Sequence, residues 1–192
     1  YLGMAYAGTT YTDGTTTVKT GFDHIKELGV NAVQILPFFD QYNNELEDRF
    51  NWGYNPQNYN VLEGQYSTNP YDAEARIVEF KQMVMAYQDA GIEIIMDVVY
   101  NHMNGLTGSS FHKIVPGYFF RYTSAGDASN GSGCGNETAS ERAMFSKYML
   151  DSTLFLATEY NLTGYRFDLM GLHDYETMNK IAAALKAIDP NI

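Results

Sequence analysis

Apolar residues along the chain form two kinds of pattern: short continuous runs, and stretches in which they recur every three or four positions. The continuous runs at 32–36 and 92–99 predict buried strands of a parallel sheet, and the segment 164–168 predicts a third strand. The periodic stretches around them predict helices at 17–28, 73–90, 138–159 and 175–187. The predicted order is therefore α-β-α-β-α-β-α.

The predicted helices carry end signals in the sequence. Asp72 and Asp174 are expected N-caps, Thr-Ala-Ser-Glu at 138–141 has the pattern of a capping box, and Gly29 and Gly91 should end the first two helices. The residues predicted to face the core are Val18, Phe22 and Ile25 in the first helix, Ile77, Phe80, Val84 and Tyr87 in the second, and Phe145, Tyr148, Met149 and Phe155 in the third.

The connections on the two edges of the predicted sheet differ in length. Segments of roughly 35 to 40 residues follow the first two strands, whereas the turns that enter each strand are short. This asymmetry is typical of a TIM-barrel enzyme, with an open doubly wound sheet as the alternative. We therefore predict an α/β fold, a partial (β/α)8 TIM barrel covering three strands, the second to fourth, with a loop insertion at about 100–138.

The boundaries of the chain shape the expected domain organisation. The sequence starts at Tyr1 without an initiator methionine and stops at Ile192, directly after a predicted helix. We expect residues 1–192 to form the N-terminal half of one catalytic barrel, with no second domain, and both ends to be internal to a longer chain.

Composition and charge narrow the classes of partner. The net charge of -11 is spread along the chain, so we expect neither nucleic acid nor an anionic membrane surface to be a partner. No apolar run is long enough to predict a transmembrane helix. The single cysteine, Cys134, permits no internal disulfide and no thiolate zinc cluster. We expect an extracellular or cell-surface location rather than a cytoplasmic one.

Two carboxylates are predicted to meet at one edge of the sheet. Asp97 and Asp168 end consecutive parallel strands, and Arg166 shares a strand face with Asp168 because residues two apart point the same way. An arginine beside a carboxylate keeps it ionised, as a nucleophile requires; an ordinary structural ion pair is the alternative. Asn101 offers an amide oxygen that suits calcium, although no second cluster of oxygen ligands is evident, and His102 alone indicates little.

Four segments together resemble glycoside hydrolase family 13, the α-amylase superfamily. The runs DVVYNH at 97–102 and GYRFDLMG at 164–171 are similar to the first and second family signatures, the second in its pullulanase form. FNWGYNP at 50–56 resembles the pullulanase marker YNWGYDP, from which it differs at Phe50 and Asn55, and GCGNETASER at 133–142 resembles a pullulanase loop. The matches follow the family's order and spacing, from about residue 21 onward.

The resemblance implies a role for each matching residue. Asp168 matches the catalytic nucleophile and Arg166 the arginine that holds it. The matches to substrate-binding positions are His102 and His173, which would contact the sugar, Tyr54, which would stack on it, Asp97, which would shape the site, and Trp52 and Asn136, which would make substrate or loop-shaping contacts. Calcium is the one candidate cofactor, its requirement stays open, and no residue is assigned as a metal ligand.

The implied activity is retaining hydrolysis of α-1,6 branch linkages in pullulan, amylopectin and related α-glucans. The alternatives are an α-1,4-acting amylase, isoamylase or branching enzyme of the same superfamily, and a non-catalytic amylase-like domain that binds glycans. The family's general-acid glutamate and its third carboxylate are expected beyond Ile192, so the 192-residue segment alone should be inactive.

Overall fold

The computed structural model describes residues 1–192, and three of its strands form a parallel sheet. The strands are β1 (Thr10–Asp13), β2 (Thr16–Lys19), β3 (Ala32–Ile35), β4 (Phe39–Gln41), β5 (Pro56–Leu62), β6 (Glu93–Val98) and β7 (Gly164–Phe167). The helices are α1 (Leu2–Ala5), α2 (Gly21–Glu27), α3 (Ala73–Asp89), α4 (Ser110–Ile114), α5 (Ala143–Glu159) and α6 (Tyr175–Ile188), with single 3-10 turns at Gly64–Tyr66 and Met170–Leu172.

The parallel sheet has the order β3-β6-β7, and helical crossovers connect its strands. The predicted α/β architecture and the alternation of helix and strand are confirmed, while the sheet does not close into a barrel within this chain. The register places Asp97 of β6 opposite Arg166 of β7. The carboxyl ends of the two strands therefore meet at one edge, as the sequence predicted.

One cluster of 24 buried apolar residues joins the sheet to α3, α5 and α6. Phe80 and Tyr87 from α3 and Phe145 from α5 are completely enclosed. The predicted caps of two helices are confirmed: Asp72 accepts a hydrogen bond from the backbone of Glu74, and Asp174 from that of Thr177. No helix combines the length and apolarity that a membrane crossing requires.

The first helix is shorter than predicted. Residues 16–19 form β2, which pairs with β1 around a turn at Gly14, where φ is +58°. The helix begins at Gly21, whose φ of +57° breaks the chain direction between the hairpin and the helix. Val18 is consequently an exposed strand residue and not part of the core. Its spacing from Phe22 imitated a helical repeat.

The predicted capping box at 138–141 was wrong, because α5 begins at Ala143. Tertiary hydrogen bonds hold these residues instead. Thr138 Oγ1 donates to the carbonyl of Tyr100 over 2.6 Å, and Ser140 Oγ accepts from the backbone of Asp174 over 2.8 Å. Ile77 and Phe155, predicted to face inward, are exposed on their helices.

Two elements that the sequence did not predict shape the loops. The strands β4 and β5 pair antiparallel after β3 and enclose the segment 42–55. The segment between β6 and α5 contains α4 and two isolated bridges, Phe120 with Thr138 and Tyr122 with Ala128. Both long loops therefore have defined structure of their own and lie on the carboxyl side of the sheet.

Candidate active site

Arg166 connects the two aspartates at the ends of β6 and β7. Its Nη1 atom donates to both carboxylate oxygens of Asp97, over 2.8 Å each, and to Oδ1 of Asp168 over 2.9 Å. Hydrogen bonds to Asp97 are the main reason that the pKa of Arg166 is raised, so the guanidinium stays charged. Asp97 is 1% exposed, whereas the Asp168 side chain is 14% exposed. Of the two carboxylates, only Asp168 can be approached by a ligand.

Asn101 and His102 lie beside Asp168. The amide nitrogen of Asn101 donates to the Asp168 carbonyl over 3.0 Å and to its Oδ2 over 3.1 Å. His102 Nδ1 lies 2.6 Å from Oδ1 of Asn101, and its Nε2 lies 2.8 Å from the carbonyl oxygen of Tyr54. Burial lowers the pKa of His102, an effect that the Tyr54 carbonyl and Asp168 oppose. Asn101 thus fixes one oxygen of Asp168 while Arg166 fixes the other.

Tyr54 reaches the site from the loop between β4 and β5. Its hydroxyl donates to Oδ2 of Asp97 over 2.8 Å. Gly53, with φ of +89°, brings the loop against the end of β3, because a Cβ atom there would collide with the carbonyl oxygen of Pro37. Desolvation and the nearby Asp97 raise the pKa of Tyr54, so the phenol keeps its proton and remains a donor.

His173 is the least satisfied polar group near Asp168. Its side chain is almost enclosed, and neither ring nitrogen has a hydrogen-bond partner in the protein. Burial lowers its pKa to about 4, with the positive charge of Arg121 contributing and Asp168 opposing. The ring is therefore neutral near pH 7, and it offers one donor and one acceptor to a ligand.

Trp52 and Asn136 occupy different environments. Trp52 is 62% exposed and lines a shallow cavity together with Tyr54 and Phe50. Asn136 is buried, and its amide accepts from the backbone nitrogen of Met103 over 3.0 Å and donates to the Met103 carbonyl over 2.7 Å. Of its two predicted roles, loop shaping fits this geometry, whereas contact with a substrate does not.

The structure contains a cluster of oxygen ligands that the sequence did not reveal. Carboxylate oxygens of Asp40, Glu45 and Glu63 lie within 4.8 Å of one another. Arg76 already pairs with Glu45 over 3.1 Å, and Asn58 donates to Asp40 over 2.6 Å. These acids are separated in sequence and meet through the pairing of β4 with β5, which no motif indicated. The proposed calcium ligand Asn101 is engaged with Asp168 and His102 instead.

Arg121 and Glu137 are further residues that the sequence analysis missed near the site. Arg121 donates to the carbonyl of Leu172 over 2.8 Å and pairs with Glu137. Both lie in the long segment after β6, where neither strand nor helix periodicity was present to place them. Glu137 falls within the loop at 133–142 that resembles a pullulanase loop, but no signal in the sequence indicated that Arg121 contacts Leu172.

Comparison with known proteins agrees with this geometry. The family model described as "Alpha amylase, catalytic domain" matches residues 12–115, more than half of the chain. The chain therefore belongs to the α-amylase catalytic domain family.

The individual relatives to which the chain is similar are pullulanases. It is 41% identical over 181 residues to the pullulanase of Bacillus subtilis strain 168, covering 93% of this chain and 25% of that protein. The crystal structure of a Paenibacillus barengoltzii pullulanase with maltohexaose and α-cyclodextrin superposes with a TM-score of 0.94 at 46% identity, covering 100% of this chain and 30% of that one. An Anoxybacillus pullulanase complexed with maltotetraose gives the same TM-score and identity, over 100% and 28%. The chain thus spans about a quarter to a third of the length of these relatives.

Proposed function

We propose that the protein carrying this chain is a retaining glycoside hydrolase that cleaves α-1,6 linkages in pullulan, amylopectin and related α-glucans. The observation that carries the proposal is the environment of Asp168, an accessible carboxylate held by Arg166 and Asn101 at the carboxyl end of β7. Similarity to pullulanases, at 46% identity over the whole chain for two solved structures, supports the choice of linkage.

In this proposal Asp168 attacks the anomeric carbon and forms a covalent glycosyl-enzyme. A carboxylic acid about 5–5.5 Å from the nucleophile protonates the leaving oxygen and then, as a carboxylate, deprotonates the attacking water. Arg166 and Asn101 orient Asp168 by donating hydrogen bonds to its two carboxylate oxygens. The neutral His173 ring and the aromatic ring of Tyr54 would contact the sugar.

Asp97 is unsuited to be the general acid. Its two oxygens accept from Arg166 and one also accepts from Tyr54, and the side chain is enclosed. A general acid must lie within hydrogen-bond reach of the leaving oxygen, and the enclosed Asp97 carboxylate cannot be approached by a substrate. We therefore expect a residue outside these 192 to supply the acid, as the family resemblance implies.

The alternatives differ from the proposal at identifiable points. An α-1,4-acting amylase, isoamylase or branching enzyme would use the same nucleophile, so the distinction depends on the loop at 50–56 and on the continuation after Asp168. Both resemble pullulanases, and the solved structures from Paenibacillus barengoltzii and Anoxybacillus that superpose on the chain are pullulanases. A non-catalytic glycan-binding domain would have no use for the complete set of contacts around Asp168.

The test is product analysis of pullulan treated with the full-length enzyme and its Asp168→Asn variant. We expect maltotriose from the wild type and a loss of more than about a thousandfold in kcat in the variant, because an amide cannot serve as the nucleophile. Asp127→Asn is a matched control, since Asp127 is exposed in a distant turn of the loop after β6. Panose as the product would support an α-1,4 specificity, and activity above a few per cent in Asp168→Asn would contradict the assignment.

A further inference from the structure

The backbone directly after Asp168 has an uncommon conformation. Leu169 has φ of 46° and ψ of 43°, in the left-handed region that bulky residues rarely occupy. The other two non-glycine residues with positive φ are Asn60 and Asn161, and asparagine tolerates this region better. A strained residue persists where its surroundings hold it in place, and such residues concentrate at functional sites. Leu169 is therefore held in place by the contacts of the segment that follows Asp168.

Residues 169–173, which we call the arch, connect the nucleophile strand to α6. At the near end, the backbone nitrogen of Asp168 donates to the carbonyl of Val98 over 3.0 Å. At the far end, Arg121 donates to the carbonyl of Leu172 over 2.8 Å, and the backbone of Asp174 donates to Ser140 over 2.8 Å. Two side chains from the long loop after β6 thus anchor the end of the arch away from the sheet.

Arg121 is itself held in a fixed orientation. Its Nη1 pairs with Glu137, while Nε and Nη2 donate to one oxygen of Glu141 over 3.0 and 2.7 Å. The second oxygen of Glu137 accepts from the backbone of Gly131 over 2.7 Å. A side chain at Gly131 would collide with that oxygen, so the close approach needs glycine. The planar guanidinium is therefore fixed on several sides, which an ammonium group could not reproduce.

The arch begins directly after Asp168 and carries His173 at its end. The His173 ring is enclosed without a protein partner for either nitrogen, which leaves both available to a ligand hydroxyl. Its direction depends on the path of the arch, because the side chain has no hydrogen bond of its own to fix it. A shift of the Leu172 carbonyl would move the ring relative to the Asp168 carboxylate.

We propose that Arg121 is a positioning residue for glycosyl transfer. By holding the carbonyl of Leu172 it fixes the arch, and through the arch it sets the direction of the His173 ring relative to the Asp168 carboxylate. Glu137 and Glu141 orient Arg121 for this task. The inference rests on the proposed function, since it concerns the same reaction.

The test is Arg121→Lys in the full-length enzyme, with Arg76→Lys as a matched control. Both arginines are partly buried, pair with a glutamate and donate to backbone carbonyls, but Arg76 binds those of Leu62 and Pro70, away from the arch. We expect kcat on pullulan to fall at least about fivefold further in Arg121→Lys than in Arg76→Lys, with KM within about threefold of wild type. A smaller difference, or a loss that appears only in KM, would overturn the inference.

Ser140→Ala is the second variant, and it is used if thermal unfolding shows that Arg121→Lys is not folded. It removes the acceptor for the backbone of Asp174 together with one contact of Arg121 at 3.3 Å, and it keeps the bonds of Arg121 to Glu137, Glu141 and Leu172. We expect kcat to fall about threefold at unchanged KM, and an unchanged kcat would count against the arch as the element that positions the site. Asp168→Asn separates the two proposals: if that variant stays active the proposed function fails, whereas if it is inactive and Arg121→Lys is fully active, only the positioning role fails.

Discussion

Two groups of acidic side chains in this chain each include a partner of one arginine, yet only one group leaves a carboxylate accessible to a ligand. At the ends of β6 and β7, Arg166 binds Asp97 and Asp168, and Asp168 remains partly accessible. Beside β4 and β5, Arg76 binds Glu45, while Glu63 accepts from the backbone of Gln41 over 3.0 Å.

The difference lies in the partners of the carboxylates. Glu63 also accepts from the backbone of Gln65 over 2.8 Å, and Glu45 accepts from that of Gly64 over 3.2 Å. These acids tie a loop to a strand pair, which is a structural task. Asp168 receives Arg166 and an amide on its two oxygens but no backbone donor, so its outer side is available for chemistry. In this chain, the cluster suited to catalysis is therefore the one in which a carboxylate is held in orientation and stays accessible to a ligand.

We expect replacement of Arg166 to lower kcat and replacement of Arg76 to lower the free energy of unfolding. Arg166→Lys keeps the charge, but the lysine side chain is one bond shorter and cannot place its ammonium where Nη1 contacts three carboxylate oxygens. We expect kcat on pullulan to fall about a hundredfold through misplacement of Asp168. Steady-state kinetics of the full-length variant, with circular dichroism to establish folding, measures this. A folded variant within tenfold of wild type would contradict the role assigned to Arg166.

Arg76→Lys should change stability instead of chemistry. Lysine cannot retain the contacts with Glu45, Leu62 and Pro70 together, and we expect the free energy of unfolding to fall by about 3 kcal/mol. Thermal and denaturant unfolding measure the loss, while kcat of the folded enzyme should stay within about threefold of wild type. If kcat fell as far as in Arg166→Lys, the distinction between the two clusters would be wrong.

The unpartnered His173 ring beside Asp168 lowers the stability of the folded protein at acidic pH. Its pKa is lowered to about 4 by burial, whereas an unfolded histidine titrates near 6.5. As pH falls from about 6.5 to 4, the unfolded chain takes up a proton that the folded site refuses, so stability is lost across that window. Between these pH values we expect the free energy of unfolding to fall by about 2 kcal/mol less in His173→Asn than in wild type. Denaturant unfolding at each pH measures the difference. Parallel curves for the two proteins would refute this.

Local signals in the sequence were sufficient for part of this structure. Asp72 and Asp174 cap their helices because each needs only a backbone nitrogen two or three residues ahead. Asp97 and Asp168 could be placed at one edge because parallel strands fix where their carboxyl ends lie. These inferences depend on neighbours in sequence or on sheet geometry alone.

Other features depend on contacts between distant segments. The sequence around Thr138 predicts the start of a helix, but the Thr138 hydroxyl donates to the carbonyl of Tyr100, 38 positions earlier. The contact of Arg121 with Leu172 spans 51 positions and belongs to no repeating pattern. The spacing of Val18 from Phe22 suggested a helix where a hairpin forms. Such pairings are set by tertiary structure, which overrides local preference.

Asp168 is the proposed nucleophile of a retaining hydrolase. The most direct measurement is to trap the glycosyl-enzyme with a fluorinated α-glucosyl fluoride and to locate the added mass by peptide mass spectrometry of the full-length protein. We expect one fluorinated glucosyl group per enzyme, attached to the peptide that contains Asp168. The Asp168→Asn variant should carry no such adduct. An adduct on another carboxylate, or inactivation with no covalent adduct, would contradict it.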